Sequence, residues 1–170
     1  MSERPETPSP VLVNRIRDDM AAAIGRVVAA WAMVERDISD TICDVAGINR
    51  EIGACITAQI NTVMGRLEAL IALSKLLNAP AGSITKLNRF KERARVLADR
   101  RNRIAHDPWL QDIETSEHYR FEVTARSRLI YEPKPETLEA LKALEDEIRE
   151  LDKRFLVIRV EVMFLQRSSS

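Results

Sequence analysis

The sequence contains few of the residues on which specialised architectures depend. It has five glycines, two cysteines and two histidines in 170 residues, and Arg159 and Glu161 interrupt its most apolar stretch, residues 155–165. So few cysteines and histidines provide neither a disulfide framework nor the ligand spacing of a metal site. The apolar stretch is too short to cross a bilayer. We therefore expect no metal, no cofactor and no membrane segment.

The chain also has no net charge, since 26 Lys and Arg balance 26 Asp and Glu. This balance argues against a protein that coats nucleic acid non-specifically, because such proteins carry a large excess of basic residues. Apolar residues make up 45% of the chain and charged residues 31%, which is typical of a folded globular protein. We predict one cytoplasmic domain over residues 11–167, between a flexible leader, residues 1–10, and a disordered tail, residues 168–170.

Helical periodicity dominates this domain. Apolar residues recur at three- and four-residue spacing in four segments: residues 11–46, 51–77, 84–106 and the chain from Pro135 onward. Gly47 is suited to end the first helix, and Pro108 to end the third, because the residue before a proline avoids helical geometry. The pattern predicts an all-α fold, a bundle of about four long helices.

Two segments add detail to this bundle. Apolar and polar residues alternate over residues 119–131, which predicts a small β-hairpin inserted before the last helix. The last helix carries an apolar stripe from Leu141 to Leu165 with the spacing of a coiled coil. Two interpretations of the stripe remain open: it packs in the core of the bundle, or it forms a seam for self-association.

The third predicted helix has the most unusual charge pattern. Residues 86–103 contain eight basic residues and only two acidic ones. Such a local surplus can attract phosphate even in a neutral protein. A solvated helix face would give the same pattern, and the acid-rich residues 136–152 could neutralise the charge internally.

Arg101 differs from the other basic residues because it belongs to the apolar face of its helix, about 40° from Leu97 at 100° per residue. Glu35 has a similar position among the apolar residues of the first helix. An unpaired buried charge costs several kcal/mol. We therefore expect Glu35 to hold Arg101 in an ion pair, unless both side chains reach solvent at a helix edge.

The same helix ends in Arg101-Asn102-Arg103-Ile104-Ala105-His106. This segment resembles the R-N-x-x-x-H signature of the HEPN superfamily, and residues 31–36 are similar to the first-helix pattern of many bacterial members. In a chain of this composition the signature is expected by chance about 0.008 times. The resemblance covers about residues 11–109 and the last helix, while the hairpin is an insertion.

The resemblance implies a helical homodimer in which two copies of the motif face a shared cleft. Catalytic members of the family are metal-independent endoribonucleases that leave 2′,3′-cyclic phosphate ends. His106 would then be the general acid–base at the ribose 2′-hydroxyl, Arg101 would stabilise the phosphate and Asn102 would orient the site. The neighbouring Arg100 and Arg103 would support these catalytic residues.

Three interpretations of the motif remain open. The first is a ribonuclease of toxin or phage-defence type, with RNA as substrate and an antitoxin protein as partner. The second is a non-catalytic homodimer that binds nucleotide, RNA or a protein partner, and the third is a helical bundle with a coincidental motif. Arg101 and His106 point about 140° apart on an ideal helix, so the helix end at Pro108 or a second copy must help to close a catalytic site.

Overall fold

The structure is a computed structural model that describes residues 10–125 and 129–167, without the side chains of residues 164–167. The predicted leader, apart from Pro10, and the predicted tail therefore lie outside the described residues. The elements in chain order are β1 (Leu12–Val13), α1 (Asp18–Ala46), α2 (Arg50–Thr57), α3 (Val63–Leu76), α4 (Ala81–His106), β2 (Trp109–Asp112), β3 (His118–Thr124), β4 (Ile130–Glu136) and α5 (Leu138–Arg167).

The helices form one hydrophobic core, to which α1, α3, α4 and α5 contribute. Trp31 of α1, Leu70 of α3 and Leu97 of α4 are at most 1% exposed. The rings of Phe90 and Phe155 join α4 to α5, with centroids 5.0 Å apart. A mainly helical fold is thus confirmed. Across the described ranges, no helix combines the length and apolarity that crossing a membrane would need.

The count of four long helices is wrong, because the predicted second helix is two helices, α2 and α3. The side chain of Asn49 caps α2 by accepting a hydrogen bond from the Ile52 amide (2.8 Å), and Thr62 caps α3 by accepting one from the Gly65 amide (3.0 Å). Each cap satisfies an amide that a helix start leaves free. The apolar spacing continues across the break, so periodicity alone did not locate it.

The first helix begins later than predicted, at Asp18 rather than residue 11. Leu12 and Val13 instead pair with Asp112 and Gln111 as an edge strand. The end of α1 is confirmed at Gly47, which has a φ of 67° in the left-handed region. Glycine adopts this conformation without the steric cost that a Cβ would bring.

The predicted hairpin is part of a larger sheet. The four strands are antiparallel in the order β1-β2-β3-β4, and β3 pairs with β4 over the whole of both strands. Pro133 and Pro135 lie in β4 and do not begin the last helix, which starts at Leu138. Because β4 is an edge strand, it tolerates residues that cannot donate a backbone hydrogen bond on its outer side.

The sheet buries its charged face. Arg120 and Glu122 of β3 are 8% and 5% exposed, whereas Val123 and Tyr131 on the opposite face are 55% and 70% exposed. Phe121 makes an edge-on contact with Tyr131 on that exposed face, with ring centroids 4.8 Å apart. The alternation of residue types therefore identified the strands correctly, but the apolar side is not the side that packs against the helices.

The apolar stripe of α5 packs in the core of a single copy. Seven of its residues are at most 8% exposed: Leu141, Leu144, Ile148, Leu151, Phe155, Ile158 and Val162. The side chain of Leu165 lies outside the description. Of the two interpretations, core packing is confirmed, and the described part of the stripe is not available as a seam for self-association.

Gly53 allows α2 to approach the end of α1 closely. A Cβ built on Gly53 would lie 2.0 Å from Sγ of Cys43, which is 3% exposed. We expect Gly53→Ala to lower the free energy of unfolding by about 1–3 kcal/mol, the usual cost of overpacking. Urea unfolding of Gly53→Ala, Cys43→Ala and the double variant checks this. The double variant should be more stable than additivity predicts; strict additivity would contradict the contact.

Candidate functional site

The C-terminal end of α4 carries the motif, and two hydrogen bonds from the residues that follow the helix hold its last turn. Asp107 leaves helical geometry (φ −72°, ψ 144°), and its amide donates a hydrogen bond to the carbonyl of Arg103 (3.0 Å). The indole Nε1 of Trp109 donates to the carbonyl of Ile104 (3.0 Å). Together these bonds satisfy two of the carbonyls that a helix end leaves free. The predicted end of the third helix is confirmed.

Arg101 is a half-buried cation that has no acidic partner among the described residues. Its Nη1 donates a hydrogen bond to Oδ1 of Asn102 (3.0 Å), and its Nε is buried without an acceptor in the described structure. Leu97 and Ile104, which share the helix face of Arg101, are at most 5% exposed. A buried donor of a charged group without an acceptor is costly. Because Nε has no accessible surface, an outside acceptor can reach it only if the side chain moves.

The predicted ion pair between Glu35 and Arg101 is absent from the described residues. Glu35 is half-buried, and its Oε1 accepts a hydrogen bond from the indole Nε1 of Trp31 (2.8 Å), one turn earlier in α1. This bond within α1 gives the Glu35 carboxylate a partner in its own helix. Glu35 therefore does not hold Arg101 through a direct contact.

His106 is exposed in the last turn of α4, and no side-chain hydrogen bond to it occurs within the described ranges. Asn102 is also exposed, and its oxygen accepts the bond from Arg101. Arg101 lies on the buried face of the helix, whereas His106 is on the solvent side. One copy therefore presents the two motif residues on different sides of α4.

Most of the basic run on α4 is neutralised. Six of its eight residues form ion pairs: Lys86 with Glu161, Lys91 with Glu68, Arg93 and Arg100 with Glu147, Arg95 with Glu92, and Arg103 with Glu122. Arg89 and Arg101 have no such partner in the part of the chain that the structure describes. Internal neutralisation thus accounts for most of the surplus. The structure sets Arg101 apart from Arg100 and Arg103, the predicted supporting residues.

A cluster of charges around the buried Glu122 carboxylate lies beside the motif, and no pattern in the sequence predicted it. The Glu122 carboxylate is 2.6 Å from Arg103, 3.0 Å from Lys134 and 3.8 Å from Arg120, and Arg120 also pairs with Asp107. Burial raises the pKa of Glu122, but these cations outweigh burial and lower it below its usual range. The cluster attaches the sheet to the end of α4.

His118, the second histidine, is buried and lies outside the motif. The backbone amide of Arg17 donates to its Nε2 (3.2 Å), which requires that this nitrogen be unprotonated. Burial lowers the pKa of His118, and the nearby Arg17 side chain lowers it further, although Asp19 acts in the opposite direction. His118 is therefore a structural histidine that favours its neutral form.

The lowered pKa of His118 predicts that stability decreases as the pH falls below about 6.5, the ordinary histidine value. In that range the unfolded chain binds a proton that the folded chain resists, which favours unfolding. His118→Gln keeps an acceptor near Nε2 but cannot titrate. Urea unfolding at pH 7.5 and 5.5 should show a smaller loss of stability for this variant. Equal losses in the two proteins would contradict the assignment.

Within the described ranges, no three histidine, cysteine or carboxylate side chains come together in a way that could hold a metal ion. Comparison of the chain with protein-family models, with curated proteins and with solved structures finds no significant match. The chemistry of the site therefore rests on its own residues. These are an arginine with an unsatisfied donor, an amide bonded to that arginine and an exposed imidazole, all at one helix end.

Proposed function

We propose that this protein is a HEPN-like, metal-independent endoribonuclease that acts through Arg101 and His106. The observation that carries the proposal is the bonding of Arg101. Its neighbours Arg100 and Arg103 each pair with a carboxylate, whereas the half-buried guanidinium of Arg101 has no carboxylate partner among the described residues. A phosphate oxygen is the kind of acceptor that a fixed guanidinium binds best.

The proposed reaction requires one proton acceptor and one group that stabilises negative charge. His106 takes the proton from a ribose 2′-hydroxyl, whose oxygen then forms a bond to the adjacent phosphorus. The bond from phosphorus to the 5′-oxygen of the next nucleotide breaks, and the protonated imidazole of His106 returns its proton to that oxygen. Arg101 stabilises the additional negative charge on the phosphorane. The products are a 2′,3′-cyclic phosphate and a 5′-hydroxyl.

We further propose that two copies of the chain form the complete site. Arg101 and His106 leave α4 about 140° apart, so a single copy does not present them to one phosphodiester. A homodimer in which Arg101 of one copy faces His106 of the other would bring the two groups together. The exposure of His106, and the lack of a carboxylate partner for Arg101 among the described residues, are consistent with such an arrangement.

The test is to incubate the purified protein with a mixed RNA substrate in EDTA and to analyse the ends of the products. Cleavage that leaves 2′,3′-cyclic phosphate ends is the expected result. Arg89→Ala is the matched control, because Arg89 is an exposed cation of the same helix without an acidic partner in the described chain. This variant should cleave as the wild type does. A wild-type protein that cleaves no RNA in EDTA would overturn the proposal.

The second candidate is a non-catalytic HEPN-like homodimer that binds nucleotide or RNA. Arg101 and His106 point in different directions from α4. This geometry favours the second candidate, because binding a phosphate requires Arg101 alone. RNA binding that weakens in Arg101→Ala, with no cleavage by the wild type and no effect of His106→Ala, would support this candidate over the ribonuclease.

A further inference from the structure

The outer face of the sheet, opposite to the charged face that packs against the helices, is apolar. Its side chains come from alternate positions of three paired strands, and none of them is charged or buried. Tyr131 and Val123 are 70% and 55% exposed, and the ring of Tyr131 contacts that of Phe121. Contiguous apolar surface of this kind marks sites of interaction with another molecule. We call it the outer sheet face, and its members are Leu110, Tyr119, Phe121, Val123, Tyr131, Pro133 and Pro135.

The outer sheet face borders the candidate site. The backbone amide of Phe121 donates a hydrogen bond to the carbonyl of Pro108 (2.8 Å), which joins β3 to the segment that leaves α4. Pro108 follows His106 by two residues, and two residues of chain span at most about 7 Å. The residue that we propose as the proton acceptor therefore lies at the border of the outer sheet face.

The chemistry of the face favours a second copy of this chain as its partner. A two-fold symmetric contact brings the same patch of both copies together, so the patch must be complementary to itself. A face of one charge sign would repel its own copy, whereas the uncharged outer sheet face does not. A nucleic acid would require cations beside its phosphates, and no member of the face is basic.

Two other surfaces are less suited to a contact that includes the site. The edge of β4 contains two prolines, which have no N–H to donate to a strand of another copy. An exposed apolar patch of α5 surrounds Val157, one turn before Glu161, which pairs with Lys86. Lys86 precedes His106 by 20 residues of α4, which corresponds to about 30 Å of helix. A contact centred on that patch is therefore remote from His106.

We propose that two copies of the chain associate through the outer sheet face and that this contact completes the site. The inference rests on the proposed function, in which Arg101 of one copy meets His106 of the other. Strands as long as β3 and β4 extend about 23 Å, and three of them are about 14 Å wide, which gives roughly 300 Å². A stable interface buries about 800 Å² per partner. The contact must therefore extend beyond the sheet, and next to β2 the adjoining surface is the end of α4.

The experiment measures the mass of the full chain in solution by light scattering and sedimentation velocity over a micromolar concentration series. The wild type should be a dimer. Val123→Lys and Tyr131→Lys should each raise the dissociation constant at least about a hundredfold, because an unpaired charge in an apolar contact is strongly unfavourable. Both positions are exposed, so the variants should keep their fold, which circular dichroism checks. Val157→Lys is the matched control, since Val157 is 62% exposed on α5, and it should dimerise as the wild type does.

RNA cleavage in EDTA is measured on the same preparations, so that the contact and the ribonuclease can fail separately. A wild-type dimer that the two face variants dissociate, but that cleaves no RNA, would support the contact and overturn only the ribonuclease. A monomeric Val123→Lys that cleaves at the wild-type rate would show that the contact does not complete the site.

Two results would overturn the contact itself. One is a dimer that Val123→Lys and Tyr131→Lys leave intact, which would place the interface elsewhere. The other is a wild type that stays monomeric throughout the concentration series. If Phe121→Ala then weakens the binding of single-stranded RNA by that monomer, the outer sheet face is a surface for RNA bases instead.

Discussion

His106→Ala is expected to reduce RNA cleavage in EDTA by at least about a hundredfold, because a positioned general acid–base contributes 10²–10⁴-fold to such reactions. The imidazole is exposed and has no side-chain partner among the described residues, so its removal should leave the fold unchanged. The measurement is the initial rate of cleavage of one defined RNA, with circular dichroism and urea unfolding recorded on the same preparations.

The interpretation of this loss depends on two comparisons. Arg89→Ala removes a cation from the same helix and should retain the wild-type rate. His118→Gln changes the other histidine, which is buried and bonded to the Arg17 amide, and should also retain the rate at neutral pH. Cleavage that persists undiminished in His106→Ala would show that the activity does not come from this site.

Glu122→Gln is expected to lower the free energy of unfolding at pH 7 by about 3 kcal/mol, the lower end of the cost of breaking a buried ion pair. The substitution removes the carboxylate shared by Arg103, Lys134 and Arg120. The lower end applies because Arg103 and Lys134 are more than a third exposed and can turn toward solvent. Urea unfolding of the variant beside the wild type measures the difference.

Glu132→Gln is the matched control for this prediction. Glu132 is opposite Glu122 in the β3–β4 register, but its side chain is 59% exposed and its nearest cation, Lys134, is 4.0 Å away. Exposed pairs contribute about 0–1 kcal/mol. The lowered pKa of Glu122 means that its contribution is present at neutral pH and is lost as the pH falls through that pKa. Equal effects of the two substitutions would show that the buried cluster does not stabilise the protein.

The helical part of the fold could be predicted from the sequence because its signals are local. Apolar spacing, Gly47 and Asp107-Pro108 correctly gave the end of α1 and the end of α4. The break between α2 and α3 could not be predicted in the same way, because the apolar pattern continues across it and only the Thr62 cap marks the start of α3. The β1 strand could not be predicted either, because Leu12 and Val13 are extended only through their pairing with β2.

The members of the candidate site come from the motif alone, and their contacts could not be predicted from the sequence. The motif placed Arg101, Asn102 and His106 on one helix end. The partner of Glu35 is a tryptophan in its own helix, and the partners of Arg100 and Arg103 come from α5 and β3. Contacts between elements distant in sequence depend on packing. The burial of Arg120 and Glu122 could not be predicted, because the alternation indicates strands but not which face of the sheet packs against the helices.

Mixing two inactive variants tests the central claim most directly. Arg101→Ala and His106→Ala should each be inactive alone, and after subunit exchange, verified by native mass spectrometry, the mixture should regain about a quarter of the wild-type rate. Half of the randomly paired dimers are hybrids, and each hybrid has one intact site out of two. A mixture that contains hybrid dimers and still cleaves no RNA would contradict a site built from Arg101 of one copy and His106 of the other.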